Sequence, residues 1–143
     1  MALHAKDLMR KKTFIRTDAS VKEAAHKMIS TGLPGLPVVN DLMEAIGMVT
    51  EFDVLGAIRG GMDLEKTTVA RIMTSQPITA DANTSCHELI HIMLVNNCTV
   101  LPIVKTGKCV GVVSRLSVMD ANLSPRYYSI SSEREHKDAL IFV

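Results

Sequence analysis

The sequence predicts an α/β fold of the α+β kind: two β-α-β-β-α repeats packed through their sheets with pseudo-twofold symmetry. Three observations predict it. The chain matches itself at a nearly constant offset, each copy carries the same helix-start signals, and the composition supplies a core of small aliphatic side chains. Self-similarity at a fixed period is the mark of a repeated folding unit.

The match begins with Leu8-Met9 on Ile72-Met73, 64 residues apart. Ser20, Glu23, His26, Met28, Leu36, Pro37 and Val39 fall on Ser85, Glu88, His91, Met93, Leu101, Pro102 and Val104 at 65. Gly47, Val49, Val54 and Ala57 return to 64, on Gly111, Val113, Val118 and Ala121. The offset changes twice, between Met9 and Ser20 and between Val39 and Gly47. Both stretches read as loop, where insertions are tolerated.

Each copy is predicted to start with a lead-in (Ala5–Met9, Val69–Met73) and an extended stretch (Thr13–Ile15, Ile78–Ala80). A helix then opens on a capping box, Ser20-x-x-Glu23 or Ser85-x-x-Glu88, whose two side chains satisfy each other's orphan backbone N–H groups. Ala24, Ala25, Met28 and Ile29, like Leu89, Ile90, Met93 and Leu94, recur at helical spacing. Strands Leu36–Val39 and Ile46–Val49 follow in the first copy, Leu101–Val104 and Val110–Val113 in the second. A closing helix starts at Thr50 or Ser114, both good N-caps. The expected division is repeat 1 over 1–61, a linker over 62–68, repeat 2 over 69–122 and a tail over 123–143. One copy alone is too small for a stable core, so the two are expected to share one.

Composition narrows the function. Hydrophobic residues make up 47% of the 143-residue chain, aromatics only 3%, and Trp is absent. Sixteen basic and 15 acidic residues leave a net charge of +1, which disfavours nucleic acid or anionic lipid as the default partner. Arg10-Lys11-Lys12 reads as a solvated turn. Cys86, Cys98 and Cys109 form no CxxC pair, which points to a reducing compartment. Lys6, Asp7 and Arg10 interrupt any apolar N-terminal stretch, and no run nears the ~18 apolar residues of a membrane helix. A cytoplasmic location without membrane insertion is expected.

Leu36-Pro37-Val38-Val39 followed by Gly47-Met48-Val49-Thr50-Glu51-Phe52-Asp53, and Leu101-Pro102-Ile103-Val104 followed by Gly111-Val112-Val113-Ser114-Arg115-Leu116-Ser117, resemble the repeat of the cystathionine-β-synthase-type (CBS) family. Asp7-Leu8-Met9 and Arg71-Ile72-Met73-Thr74 are similar to the family's opening segment. The resemblance covers residues 3–121. It implies a tandem pair, or Bateman module, whose members bind AMP, ADP, ATP or S-adenosylmethionine between the repeats. It implies a non-catalytic, regulatory role, with the ligand state passed to a partner protein, and a homodimer.

The residues suit that chemistry. Asp53 and Thr50 share the first turn of the closing helix; the carboxylate can accept both hydroxyls of a ribose, and charged acceptors bond strongly. The helix start favours phosphate. Carried across from the family, the main cleft combines Met48, Thr50 and Asp53 with Thr74, Ile78, Ala80, Cys98, Thr99, Pro34 and Gly35, the adenine lying between Ile78, Ala80 and Met48. The second combines Val112, Ser114 and Ser117 with Thr13, Ile15, Leu33 and Pro34. There Ser117 stands in place of the acid, so that cleft is expected to be weak or empty, with Arg115 offering partial compensation to a phosphate.

Other constellations carry less. His87 and His91 share a helix face beside Cys86 but lack further ligands nearby, so zinc is not expected. His91 matches His26, which suggests a role in the fold. Cys98, just before a strand, reads as a small buried side chain rather than a nucleophile. Gly60-Gly61 lacks the Lys-Ser/Thr of a phosphate loop, and the nine methionines read as core filler. The tail ends in apolar Ala139–Val143 and is expected to dock on its own module or on a dimer mate. Two further functions compete with nucleotide sensing: a ligand-free dimerisation adaptor, and an enzyme using Cys98.

Overall fold

The computed structural model describes residues 2–124; the expected docking of the tail lies outside the described residues beyond Ser124. Its elements run α1 (Ala5–Leu8), β1 (Arg10–Lys11), β2 (Ile15–Arg16), α2 (Val21–Thr31), β3 (Gly35–Val39), β4 (Ala45–Thr50) and α3 (Glu51–Arg59). The second half runs through a 3-10 turn (Val69–Arg71), then β5 (Thr74–Ser75), β6 (Ala80–Asp81), α4 (Cys86–Asn96), β7 (Val100–Lys105), β8 (Lys108–Ser114) and α5 (Arg115–Leu123).

The strands form two four-stranded sheets, β2-β3-β4-β5 and β1-β8-β7-β6. Each long hairpin is antiparallel, and each short strand before the first long helix of a repeat pairs parallel with its neighbour, Ile15 opposite Val38 and Ala80 opposite Ile103. The two hairpins are equivalent residue by residue: Gly47 pairs opposite Val38 as Gly111 does opposite Ile103. Both changes of offset fall in connections, one before β2 and β6, the other in the hairpin turns.

The lead-ins depart from expectation. Each is helical, and each then adds a strand to the sheet of the other repeat. Arg10-Lys11 is β1, an edge strand opposite Val112 and Gly111, not a solvated turn. Thr74-Ser75 is β5, opposite Met48 and Gly47. The core follows the exchange: Ala5 and Leu8 pack with Leu89, Leu101, Ile103 and Val113, while Val69 packs with Val21, Leu36 and Val49. Helical spacing cannot reveal this, because a four-residue helix carries one turn of pattern and a two-residue strand carries none. The extended stretches also begin later than expected, at Ile15 and Ala80.

Sheet meets sheet along β3, all five of whose residues are buried. Val100 and Val112 of the second repeat belong to the same apolar cluster as Leu36 and Val38 of the first. The repeats thus share a core, as two small units must.

The expected capping boxes form only in part at α2 and α4. The hydroxyls of Ser20 and Ser85 accept from the backbone N–H groups of Glu23 and Glu88 at 3.0 and 3.1 Å, but the carboxylates do not return to the serine N–H. The chain beside these serines is instead bridged to Thr68 and to His4. Complete boxes occur at α3 and α5.

Candidate functional site at the closing helices

Strands β4 and β8 run directly into helices α3 and α5, and each junction is a capping box. Thr50 and Ser114 are extended N-caps whose hydroxyls accept from the N–H groups of Asp53 and Ser117. In return the Asp53 carboxylate takes Thr50 N–H at 2.8 Å and the Thr50 hydroxyl at 3.0 Å, both on Oδ2. Oδ1 keeps acceptor capacity. At the other junction Ser117 accepts from Ser114 N–H at 3.2 Å, and its own hydroxyl donates to the Ser114 carbonyl at 2.8 Å. Ser117 is buried and carries no charge to offer a ligand, whereas Asp53 is half-buried.

Each junction is tied to the segment before its neighbouring strand. Glu51 N–H donates to the Pro34 carbonyl and Arg115 N–H to that of Thr99, both at 3.0 Å. Gly35 lies opposite Thr50, and Met48 opposite Thr74. A Cβ at Gly35 would sit 3.2 Å from the Val49 carbonyl and 3.5 Å from Met48 Cε. Pro34, Gly35, Met48, Thr50, Asp53 and Thr74 are therefore gathered at one end of the first sheet.

Of the remaining main-cleft residues, Thr99 sits at the α5 junction and Cys98 beside it. Ala80 is buried in the second core, and Ile78 is 45% exposed just ahead of β6. In the second set, Val112, Ile15 and Leu33 are buried in the first core cluster, and buried Thr13 donates to the Lys11 carbonyl at 3.1 Å.

A cavity of about 510 Å³ joins the two repeats. Leu33 and Pro34 line it from one side, Thr99 and Ser114 from the other, with Glu51 and Arg115 at the two helix starts. It draws residues from both expected sets; Asp53, Met48 and Thr74 are not in its lining. Its size suits a small-molecule ligand. Glu51 and the α2 residues Ala25 and Ile29 were not expected to line it. A signal for Glu51 was present, since it occupies the position in the first copy that Arg115 holds in the second.

Cys98 is half-buried rather than buried, and the cost of burying a thiolate pushes its thiol up. Activation of a nucleophile needs the opposite shift. Cys109, buried in β8, is pushed up for the same reason. All three cysteines are free thiols. His26 and His91 are exposed on α2 and α4, so burial in the fold does not account for their matching positions. Among the described residues no group of three or more His, Cys, Asp or Glu is placed to hold a metal ion, and no helix is long and apolar enough to cross a membrane.

This is a two-repeat α+β module with paired helix-start turns flanking a shared cavity. The CBS domain family model matches it twice, over residues 5–60 and 69–124, and the chain belongs to that family. It is 24% identical to CBSX2 in complex with AMP, with a TM-score of 0.73 over 86% of this chain and 98% of that one. It is likewise 24% identical to the CBS domain pair of protein MJ0100 in complex with 5′-methylthioadenosine and S-adenosyl-L-methionine, with a TM-score of 0.75 over 87% and 99%. A homoserine O-acetyltransferase from Methanosphaera stadtmanae is 30% identical over 124 residues, which are 85% of this chain and 24% of that protein. The chain spans between 20% and 35% of the length of the first curated relatives it matches.

Proposed function

We propose that this chain is a regulatory module that binds an adenine nucleotide of the AMP, ADP or ATP type between its repeats and passes the ligand state to a partner protein. The observation that carries the proposal is the α3 junction. It presents a half-buried carboxylate with a spare oxygen at a helix start, next to Thr50, which lies opposite Gly35 at the end of a strand that pairs at Met48 with Thr74 of the other repeat. A ribose diol donates to such an oxygen, and phosphate oxygens are favoured near a helix N-terminus. The solved relatives bound to AMP and to S-adenosyl-L-methionine support the same ligand class. Because the ligand touches both repeats, it favours whichever arrangement brings them into the right register. The acetyltransferase activity of the longer relative then resides in its remaining length, and this module contributes regulation rather than catalysis.

A thermal-shift panel of AMP, ADP, ATP, NAD and S-adenosylmethionine tests this. A ligand at 100 times its dissociation constant should stabilise the fold by about 2.7 kcal/mol, and Asp53→Ala, binding at least tenfold more weakly, should cut that to about 1.4 kcal/mol or less. Absence of a shift with every adenine compound would remove the proposal.

A second reading, a dimerisation adaptor, rests on the outer helix faces. Phe52 is 79% exposed and Leu123 79%, with Leu55, Ile58, Leu116 and Met119 also exposed on α3 and α5. Apolar faces of that extent mark interaction surfaces. We take the homodimer to be the state in which the sensor works, rather than a replacement for sensing.

A further inference from the structure

A second cavity, of about 580 Å³, opens at the far end of β8 from the α5 junction. Six residue steps separate Lys108 from Ser114 along the strand, about 20 Å at the rise of a β-strand. The walls are mostly apolar, formed by Met9, Phe14, Met43, Ala82, Cys109 and Val110, with Asn83 the one uncharged amide among them. The rim carries five lysines, Lys6, Lys11, Lys12, Lys105 and Lys108. These are five of the 16 basic residues in a chain whose net charge is only +1.

No acidic side chain among the described residues pairs with any of the five. The carboxylates that flank lining residues in sequence are engaged elsewhere: Asp7 with His4, Asp41 with Arg16, Glu44 with Asn40, and Asp81 with the backbone N–H of Asn83. Among the described residues, Lys108 is the one of the five whose ammonium has a polar partner, donating to the Leu42 carbonyl at 3.1 Å. Five like charges around one opening repel one another, so the arrangement lowers stability unless an anion relieves it.

The fold does not require these lysines, and the internal symmetry shows it. The strand pairings place Ser75 where the other half has Lys11, and Gln76, with the same left-handed backbone, where it has Lys12. The hairpins place Asn40 and Glu44 where the other half has Lys105 and Lys108. Ala70 stands in the place of Lys6. The same scaffold, built twice, is basic once.

We propose that this lysine-rimmed cavity is a second ligand site, separate from the adenine-nucleotide cleft, for an anionic amphiphile: a phosphate or carboxylate head held by the lysines, on an apolar body seated against Phe14, Met43 and Val110. That chemistry has two sources, a free amphiphile or the headgroup and upper chain of an anionic lipid, and the test separates them.

Octyl phosphate, octanol and inorganic phosphate are titrated calorimetrically into the full chain. In parallel, the chain is sedimented with phosphatidylglycerol and with phosphatidylcholine vesicles. Octyl phosphate should bind one per chain, more weakly as salt rises, and at least tenfold more tightly than octanol or phosphate. Lys11→Glu/Lys108→Glu should reduce that affinity at least tenfold, while Asp53→Ala leaves it unchanged. Lys105→Gln/Lys108→Gln is the milder variant if the first does not fold. Capture by phosphatidylglycerol vesicles alone, lost in the same variants, assigns the site to a lipid headgroup. Equal binding of octyl phosphate and octanol, binding indifferent to the lysine variants, or binding in neither arm overturns the proposal. An adenine-nucleotide shift that persists in the lysine variants keeps the two sites distinguishable.

Discussion

Asp53 has one observed task, the cap, and one proposed task, the ligand, and they can be separated. One carboxylate oxygen closes the α3 capping box, and the other is free for a ligand. Asp53→Ala should therefore lose about 1 kcal/mol of stability with the cap, together with at least tenfold in ligand affinity. Asp53→Asn keeps a carbonyl acceptor for the cap but removes the charge. It should unfold at nearly the wild-type urea concentration yet still bind at least tenfold more weakly; wild-type affinity in Asp53→Asn would show that charge is not what the site uses. Ser117→Asp is the converse change. It is expected to create a second binding event in calorimetry, at some cost in stability because Ser117 is buried. Among the thiols, Cys98 and Cys109 are both pushed up by burial. At neutral pH each should react with iodoacetamide more slowly than a free cysteine, and faster alkylation of Cys98 would revive an enzymatic role.

At the scale of elements, the exchanged lead-ins make the repeats inseparable. Leu8 is 1% exposed and packs in the core of the other repeat. Leu8→Ala should therefore cost about 2–5 kcal/mol, as one cooperative urea transition instead of a loss confined to the first half. Gly111 matters for a different reason: a Cβ there would run into the Arg10 carbonyl of the crossing strand. Gly111→Ala should displace β1 and cost about 1–3 kcal/mol; an unchanged urea midpoint would contradict the strand exchange. Gly47, packed against Met73, is its counterpart. The main helices and hairpins were legible in the sequence because each spans enough residues to show its period, and because Ser20, Thr50, Ser85 and Ser114 announce their starts. The exchange was not legible. Its strands are two residues long, and their partners lie in the other repeat, so nothing local encodes the pairing.

The whole molecule is a pseudo-symmetric scaffold whose two halves carry different chemistry. Its symmetry could be read from self-alignment. The Thr50–Asp53 turn was legible as a candidate only through the family resemblance, because a Thr and an Asp at a helix start are also an ordinary cap. Glu51, the α2 wall and the lysine rim were not, because they are assembled from segments distant in sequence. The exposed apolar face of α3 and α5 is expected to hold two copies together. Phe52→Glu/Met119→Glu should lower the mass in light scattering to that of a monomer, and an unchanged mass would remove this face from the dimer. Whether the Asp53 carboxylate holds an adenine nucleotide is decided by a calorimetric titration of AMP into the wild-type chain and into Asp53→Asn. One strong site per chain is expected in the wild type, and a loss of at least tenfold in the variant. Two equivalent sites, or identical isotherms for the two proteins, would contradict it.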